Sequence, residues 1–278
     1  MLGAPRSGTT VLGSYLASGA SCLDLGEFGG FHAAYNIVPG ALGAMPGPFR
    51  EAYMADLRRH AGVFAEDLAT DRGNGWFCDA TPWNLLAAGP LAHDHPEALF
   101  VLCLRHYAGT VQSLRRSYQS GFVWAGASWA ESAGVWASLY RRVGELPADR
   151  VVPVSFDALA SEPGPTLGML RLRLGELGFG VDDLDEAVLA VSHAPPASGP
   201  RPTIGVREGD TIRLRSVPSF NPAAWSGDIQ RMVWPEVEQV HRDLQLRYEG
   251  MYRAPPPPSE LRMHHDTLGL VPVVLDAW

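Results

Sequence analysis

The sequence predicts an α/β fold in which a central parallel sheet is flanked by helices, giving three layers. Three observations predict it. "ALFVLCLRH" (98–106) and "RVVPVSF" (150–156) are apolar runs of strand length, the pattern of strands buried on both faces. Segments of helical periodicity stand between and after them, which implies right-handed crossovers between parallel strands. Near the start, a glycine-containing turn at 3–10 leads directly into an apolar helical pattern.

Taken in order, only Met1 and Leu2 precede that turn, where a buried strand of about five or six residues would normally stand. Residues 9–19 place Val11, Leu12, Tyr15 and Leu16 at helical spacing and end at Gly19. A longer amphipathic helix is expected over 48–71 and a short one over 83–92. After the strand at 98–106, helices are expected at 107–120 and 128–146. After the strand at 150–156 they are expected at 163–178 and 228–249. Residues 194–224 are rich in Pro, Gly, Ser and Arg and read as a long loop, a length that usually marks a functional lid or disorder. We therefore expect one domain over 1–253, then a Pro-rich linker and tail over 254–278. The apolar end of that tail could pack back or join copies of the chain. No internal repeat is visible.

Composition narrows the function. A net charge of −8 and a pI near 5.6 argue against a nucleic-acid or anionic-membrane surface. Any anion must be held locally. All 22 basic residues are arginine, which rules out mechanisms that need a lysine. Cys22, Cys78 and Cys103 form no paired motif and read as buried, reduced thiols. No apolar run reaches the ~18 residues of a membrane span and no leader precedes the loop, so a cytoplasmic protein is expected.

"GAPRSGTT" (3–10) nearly matches the phosphate-binding pattern G-x-x-x-x-G-K-[ST], in which backbone N–H groups cradle phosphate. Gly3 and Gly8 are correctly spaced and Thr10 fills the hydroxyl position. Thr9, however, replaces the lysine, and the loop's cation is Arg6. In a nucleotide hydrolase a later strand ends in a metal-binding Asp. Here the strand ends in Arg105, which points to a second anion held directly by protein, with Ser113 eight residues on along the next helix. His193, His264 and His265 lack ligand spacing, so no metal site is expected.

These pieces, in this order, resemble the sulfotransferases that use 3′-phosphoadenylyl sulfate (PAPS), whose fold is P-loop-like. "PRSGTT" (5–10) is similar to the family's 5′-phosphosulfate loop, and "RHYAGTVQS" (105–113) to its 3′-phosphate motif. "RVVPVSFDALASEP" (150–163) is similar to the strand and acidic turn that follow. The resemblance implies that Arg6, Ser7, Gly8, Thr9 and Thr10 hold the 5′-phosphosulfate and that Arg105 and Ser113 hold the 3′-phosphate. It implies 3′,5′-ADP as the nucleotide product, with no metal. Arg207, Arg213 and Arg215 would close over the nucleotide from the late loop.

In "LDLGEFGGFH" (23–32), Glu27 resembles the catalytic base of the carbohydrate-type members, with His32 as the alternative. "FCDATPWN" (77–84) has Ala80 where the family commonly has lysine, so any cation helping the bridging oxygen would be Arg6 or another arginine. Asp79 and Thr81 are candidates on the acceptor side. Phe122 and Trp124, in an irregular stretch, could line an acceptor pocket. The acceptor would be a hydroxyl of a small molecule, a specialised metabolite, or of a carbohydrate or glycolipid. Two rivals remain: a divergent P-loop kinase or nucleotidase, and a non-catalytic nucleotide-binding relative.

Overall fold

The computed structural model describes residues 1–181, 184, 189–192, 205–208, 211–215 and 225–252, with side chains for 1–181, 184 and 225–252. In chain order the elements are α1 (Thr9–Leu16), β1 (Cys22–Asp24), α2 (Gly30–His32), a π-helical turn (Ala33–Ile37), α3 (Val38–Ala41) and α4 (Gly47–Asp71). Then follow β2 (Trp76–Cys78), a 3-10 turn (Pro82–Ala87), α5 (Ala88–Asp94), β3 (Phe100–Leu104), α6 (Tyr107–Gln119) and α7 (Trp129–Tyr140). The chain continues through β4 (Val151–Ser155), α8 (Phe156–Ser161), α9 (Pro163–Glu176), β5 (Leu189–Ser192), β6 (Gly205–Glu208), β7 (Thr211–Arg215) and α10 (Gly227–Arg247).

β1 pairs in parallel with β2, and β3 in parallel with β4. The first residues lie between these pairs: Leu2 forms a parallel bridge with Leu102, while the Met1 ammonium donates to the Asp79 carbonyl just past β2. Residues 1–2 thus bridge to β3 and touch the chain just past β2. Loops that leave the carboxyl ends of such strands converge on one edge, where ligands of open α/β sheets bind.

Every residue of β3 is buried, as its unbroken apolar run requires. Its alternation divides the core between two layers. Phe100, Leu102 and Leu104 face a cluster with Tyr107, Val111, Trp136, Val237 and Leu244, under α6, α7 and α10. Val101 and Cys103 face the opposite cluster with Val11, Leu12, Tyr15, Leu167 and Leu170, under α1 and α9. The three-layer fold read from the sequence is therefore the one observed. All three cysteines are free and buried, and burial pushes the Cys78 thiol up to about 11 and that of Cys103 to about 12.

One expectation is overturned. The region read as a loop over 194–224 contains β6 and β7, paired antiparallel, with β7 also parallel to β5. Prolines and glycines around short strands hid an alternation that "TIRLR" (211–215) does carry. The remaining residues of 194–224, and the tail over 254–278, lie outside the described residues. Among the described residues no helix is long and apolar enough to cross a membrane.

A buried histidine pair lies under α6. The His106 and His241 rings are 5.2 Å apart, and His241 Nδ1 is 3.0 Å from the Tyr252 hydroxyl. Burial pulls the His241 pKa down to about 4, and Arg242 adds to the fall. The unfolded chain takes up this proton near pH 6.5 and the folded chain does not, so stability falls as the pH drops from about 6.5 to 4. Thermal unfolding should show about 3 kcal/mol lost at pH 4 through His241 alone. The acid slope should flatten in His241→Gln, and an unchanged slope would contradict this reading.

Candidate active site

The 3–10 turn is closed by Ser7, whose N–H and Oγ both donate to the Ala4 carbonyl, at 3.1 and 2.6 Å. Ser7 and Thr9 are buried, whereas Arg6 and Thr10 are exposed. Gly8 has φ +97° and caps α1, and a Cβ there would lie 2.9 Å from the Phe156 ring. Only glycine meets both demands. Arg6 has φ +74°, the one non-glycine residue with positive φ among the described residues. Such a conformation is held by its surroundings and is concentrated at functional sites. Thr9, Thr10 and Val11 open α1, where the first N–H groups have no carbonyl a turn earlier in the helix to receive them.

The second motif joins the first directly. Arg105 follows β3 and its Nη1 donates to the Arg6 carbonyl at 2.5 Å, while Arg6 Nε donates to Ser113 Oγ at 3.2 Å. Residues about a hundred positions apart in sequence thus form one cluster. The Arg105 guanidinium lies over the Phe156 ring at 4.1 Å and beside Gly109, where a Cβ would sit 3.3 Å from its Nε. Burial pulls its pKa down to about 10, with Asp157 opposing the fall. It stays charged at neutral pH. The Trp136 indole N–H donates to its carbonyl at 3.3 Å, fixing the backbone from which it projects.

Glu27 stands on a turn tied to the segment after β2. The Ala80 N–H donates to the Gly26 carbonyl at 2.7 Å, and the Gly29 N–H donates to Thr81 Oγ1 at 3.0 Å. Glu27 reaches solvent, yet partial loss of water around it raises its carboxyl above the usual range; Asp79 adds to the rise and Arg6 opposes it. The carboxylate, Arg6 and Asp79 therefore share one electrostatic neighbourhood.

His32 is half-buried, and loss of water lowers its pKa, against a hydrogen bond to the Trp83 backbone and the charge of Asp79. The Asn36 amide lies 3.1 Å from His32 Nδ1. With Nδ1 accepting from that amide, the ring proton sits on Nε2 and no lone pair is free to take another. This favours Glu27 over His32 as a base.

Asp79 is a brace rather than a free carboxylate: Oδ1 accepts from the Thr81 N–H and Oδ2 from Asn84 Nδ2, both at 2.8 Å. Ala80 is 2% exposed, and a Cβ added at Gly13 would lie 3.0 Å from its own Cβ. That side chain therefore packs against α1 at Gly13.

Phe122 and Trp124 are exposed and lie 5.8 Å apart between ring centroids. Trp124 meets the edge of Trp83 at 5.5 Å, and Trp83 lies 6.1 Å from the His32 ring. Trp83 was missed in the sequence, where it reads as one apolar residue of a short helix. Its place two residues after Thr81 was the available signal. Trp136 and Tyr140 are core residues, with the Tyr140 hydroxyl donating to the Cys103 carbonyl at 2.5 Å. Arg207 lies on β6, and Arg213 and Arg215 on β7, where side chains are outside the described residues. Among the described residues, no group of three or more His, Cys, Asp or Glu is placed to hold a metal ion.

The architecture is thus a three-layer α/β protein whose glycine-rich turn and strand-end arginine meet at one sheet edge. Residues 46–176 match the model of the sulfotransferase family. The match includes Arg105 and Ser113 and leaves the 3–10 turn and Glu27 outside it. Among solved structures, the chain is similar to the sulfotransferase domain from the curacin biosynthetic pathway, at 16% identity and a TM-score of 0.46, over 96% of this chain and 95% of that one. It is also similar to the sulfotransferase domain from the Synechococcus PCC 7002 olefin synthase, at 17% identity and a TM-score of 0.41, over 63% and 71%. No curated protein matches the chain.

Proposed function

We propose that this protein transfers a sulfuryl group from PAPS to an acceptor hydroxyl, in a domain over 1–253 followed by a linker and tail over 254–278. The observation that supports the reading is the cluster of Arg6, Arg105 and Ser113, whose guanidinium groups would adjoin the two anions of one nucleotide. Arginine suits such groups because its planar fork makes paired, charge-assisted bonds. PAPS supplies an activated sulfuryl group on a phosphate leaving group.

In this reading the 3–10 turn, the first N–H groups of α1 and Arg6 receive the 5′-phosphosulfate, and Arg105 and Ser113 receive the 3′-phosphate. Arg213 would approach from β7. The Glu27 carboxylate takes the acceptor's proton as its oxygen bonds to sulfur. The sulfur–oxygen bond to phosphate breaks, and charge grows on the departing phosphate. Fixed N–H donors and Arg6 stabilise that charge without reorganising, so the step as we draw it needs no metal. A cytoplasmic setting fits the free, buried thiols.

The acceptor is read from the aromatic wall of Trp83, Trp124 and Phe122 beside His32: a hydroxyl carried on an apolar or aromatic body, hence a small molecule ahead of a saccharide. PAPS labelled in sulfur, incubated with 2-naphthol or with glucose, tests this. Label should pass to 2-naphthol, with 3′,5′-ADP released in equal amount. Transfer to glucose alone would reassign the acceptor class. Trp124→Ala should raise the KM for 2-naphthol about tenfold while leaving that for PAPS within twofold, in keeping with loss of one buried aromatic contact. An unchanged KM for 2-naphthol would remove the wall from the acceptor site.

A further inference from the structure

His106 lies between Arg105 and the first turn of α6, and no sequence pattern assigns it a role. It is the N-cap of α6, and its Nδ1 accepts the Ala108 N–H at 3.1 Å. Its carbonyl accepts both the N–H and the Oγ1 of Thr110, each at 3.2 Å. N-caps are usually Ser, Thr, Asp or Asn, because a short side chain with an oxygen reaches the open N–H groups of the first turn. An imidazole here does the same work with a nitrogen lone pair, and with Nδ1 accepting, the ring proton sits on Nε2. His106 is 8% exposed and its ring packs on Tyr107, His241 and Tyr252, at 4.3, 5.2 and 5.8 Å between centroids.

The turn that His106 caps is the floor beneath Arg105. Gly109, in that first turn, lies against the Arg105 guanidinium, and Ser113 is on the next turn. A frayed first turn would move both groups at once. We propose that His106 is a positioning residue for the nucleotide's 3′-phosphate: its neutral imidazole caps α6 and so fixes Arg105 relative to Ser113. The proposal rests on the donor reading above and goes beyond it, in giving the strand-to-helix junction a part that touches no ligand.

Two substitutions separate the cap from the packing. His106→Phe keeps a ring of similar size and loses the acceptor, whereas His106→Asn keeps an acceptor and loses the ring. Calorimetric titration of wild type and both variants with 3′,5′-ADP and with 5′-ADP reads the outcome. His106→Phe should bind 3′,5′-ADP about five- to tenfold more weakly, the size of a lost cap, with 5′-ADP affinity within twofold of wild type. His106→Asn should bind both nucleotides within about threefold of wild type, as restored capping predicts.

Equal weakening for both nucleotides, full affinity in His106→Phe, or greater loss in His106→Asn than in His106→Phe would overturn the proposal. If wild type does not bind 3′,5′-ADP, the donor reading fails instead. Amide exchange on the unsubstituted protein tests the cap directly. The Ala108 amide should exchange more slowly than that of Gly109, and an Ala108 amide that exchanges freely would also overturn the proposal.

Discussion

Replacing Glu27 with glutamine is expected to reduce turnover by about 10² to 10⁴, the usual contribution of a positioned base, while 3′,5′-ADP binding stays within a few-fold of wild type. The amide keeps the shape of the side chain and removes its capacity to accept a proton. The same assignment fixes a pH dependence. Loss of water and the charge of Asp79 raise the Glu27 carboxyl above its ordinary value, with Arg6 as the smaller, opposing influence. At pH below that raised value the group is protonated and turnover is lost. The rate should therefore climb with pH through an inflection above 4.5, the ordinary value for a glutamate. His32→Gln should keep most of the activity, since its Nδ1 already faces the Asn36 amide. If His32→Gln abolishes turnover while Glu27→Gln does not, the two roles are exchanged.

The second large effect is expected at Arg105. Arg105→Ala removes the guanidinium packed against Gly109 and also the hydrogen bond to the Arg6 carbonyl that steadies the strained residue of the turn. A lost hydrogen bond to a charged partner is worth about 1.5–3 kcal/mol, so 3′,5′-ADP affinity should fall roughly ten- to a hundredfold. Arg105→Lys should recover only part of this, because an ammonium keeps the charge without the planar fork. Affinity for 5′-ADP should change less than that for 3′,5′-ADP. Equal losses for the two nucleotides would mean that Arg105 serves the turn and not the 3′-phosphate.

Long apolar and periodic segments made much of the fold legible in the sequence. β3, with all five residues buried, follows from the run "FVLCL", and the bounds of α4, α6, α9 and α10 fall within two residues of those expected. β1 and β2 are three residues each, too short for any alternation to register, and their pairing depends on partners some fifty residues away. The hairpin of β6 and β7 was hidden by the glycines and prolines around it.

At the site, the glycine spacing of the turn could be read because its backbone conformation demands it, whereas the interval from Arg105 to Ser113 was read from the family resemblance. Contacts across the sheet edge could not be read. Nothing in the string shows that Arg6 reaches Ser113, that Asp79 is a capping brace, or that Trp83 meets Trp124. His106 escaped notice because histidine is an uncommon helix cap.

In the proposed function the cluster of Arg6, Arg105 and Ser113 receives a nucleotide carrying phosphate at both its 3′ and 5′ ends. The most direct test is calorimetric titration of the unsubstituted protein with 3′,5′-ADP in the presence of EDTA, beside ATP with Mg²⁺. 3′,5′-ADP should bind without metal, at least tenfold tighter than Mg·ATP. Preference for Mg·ATP, or no binding of 3′,5′-ADP, would contradict the proposed function and return the turn to the kinase or nucleotidase reading.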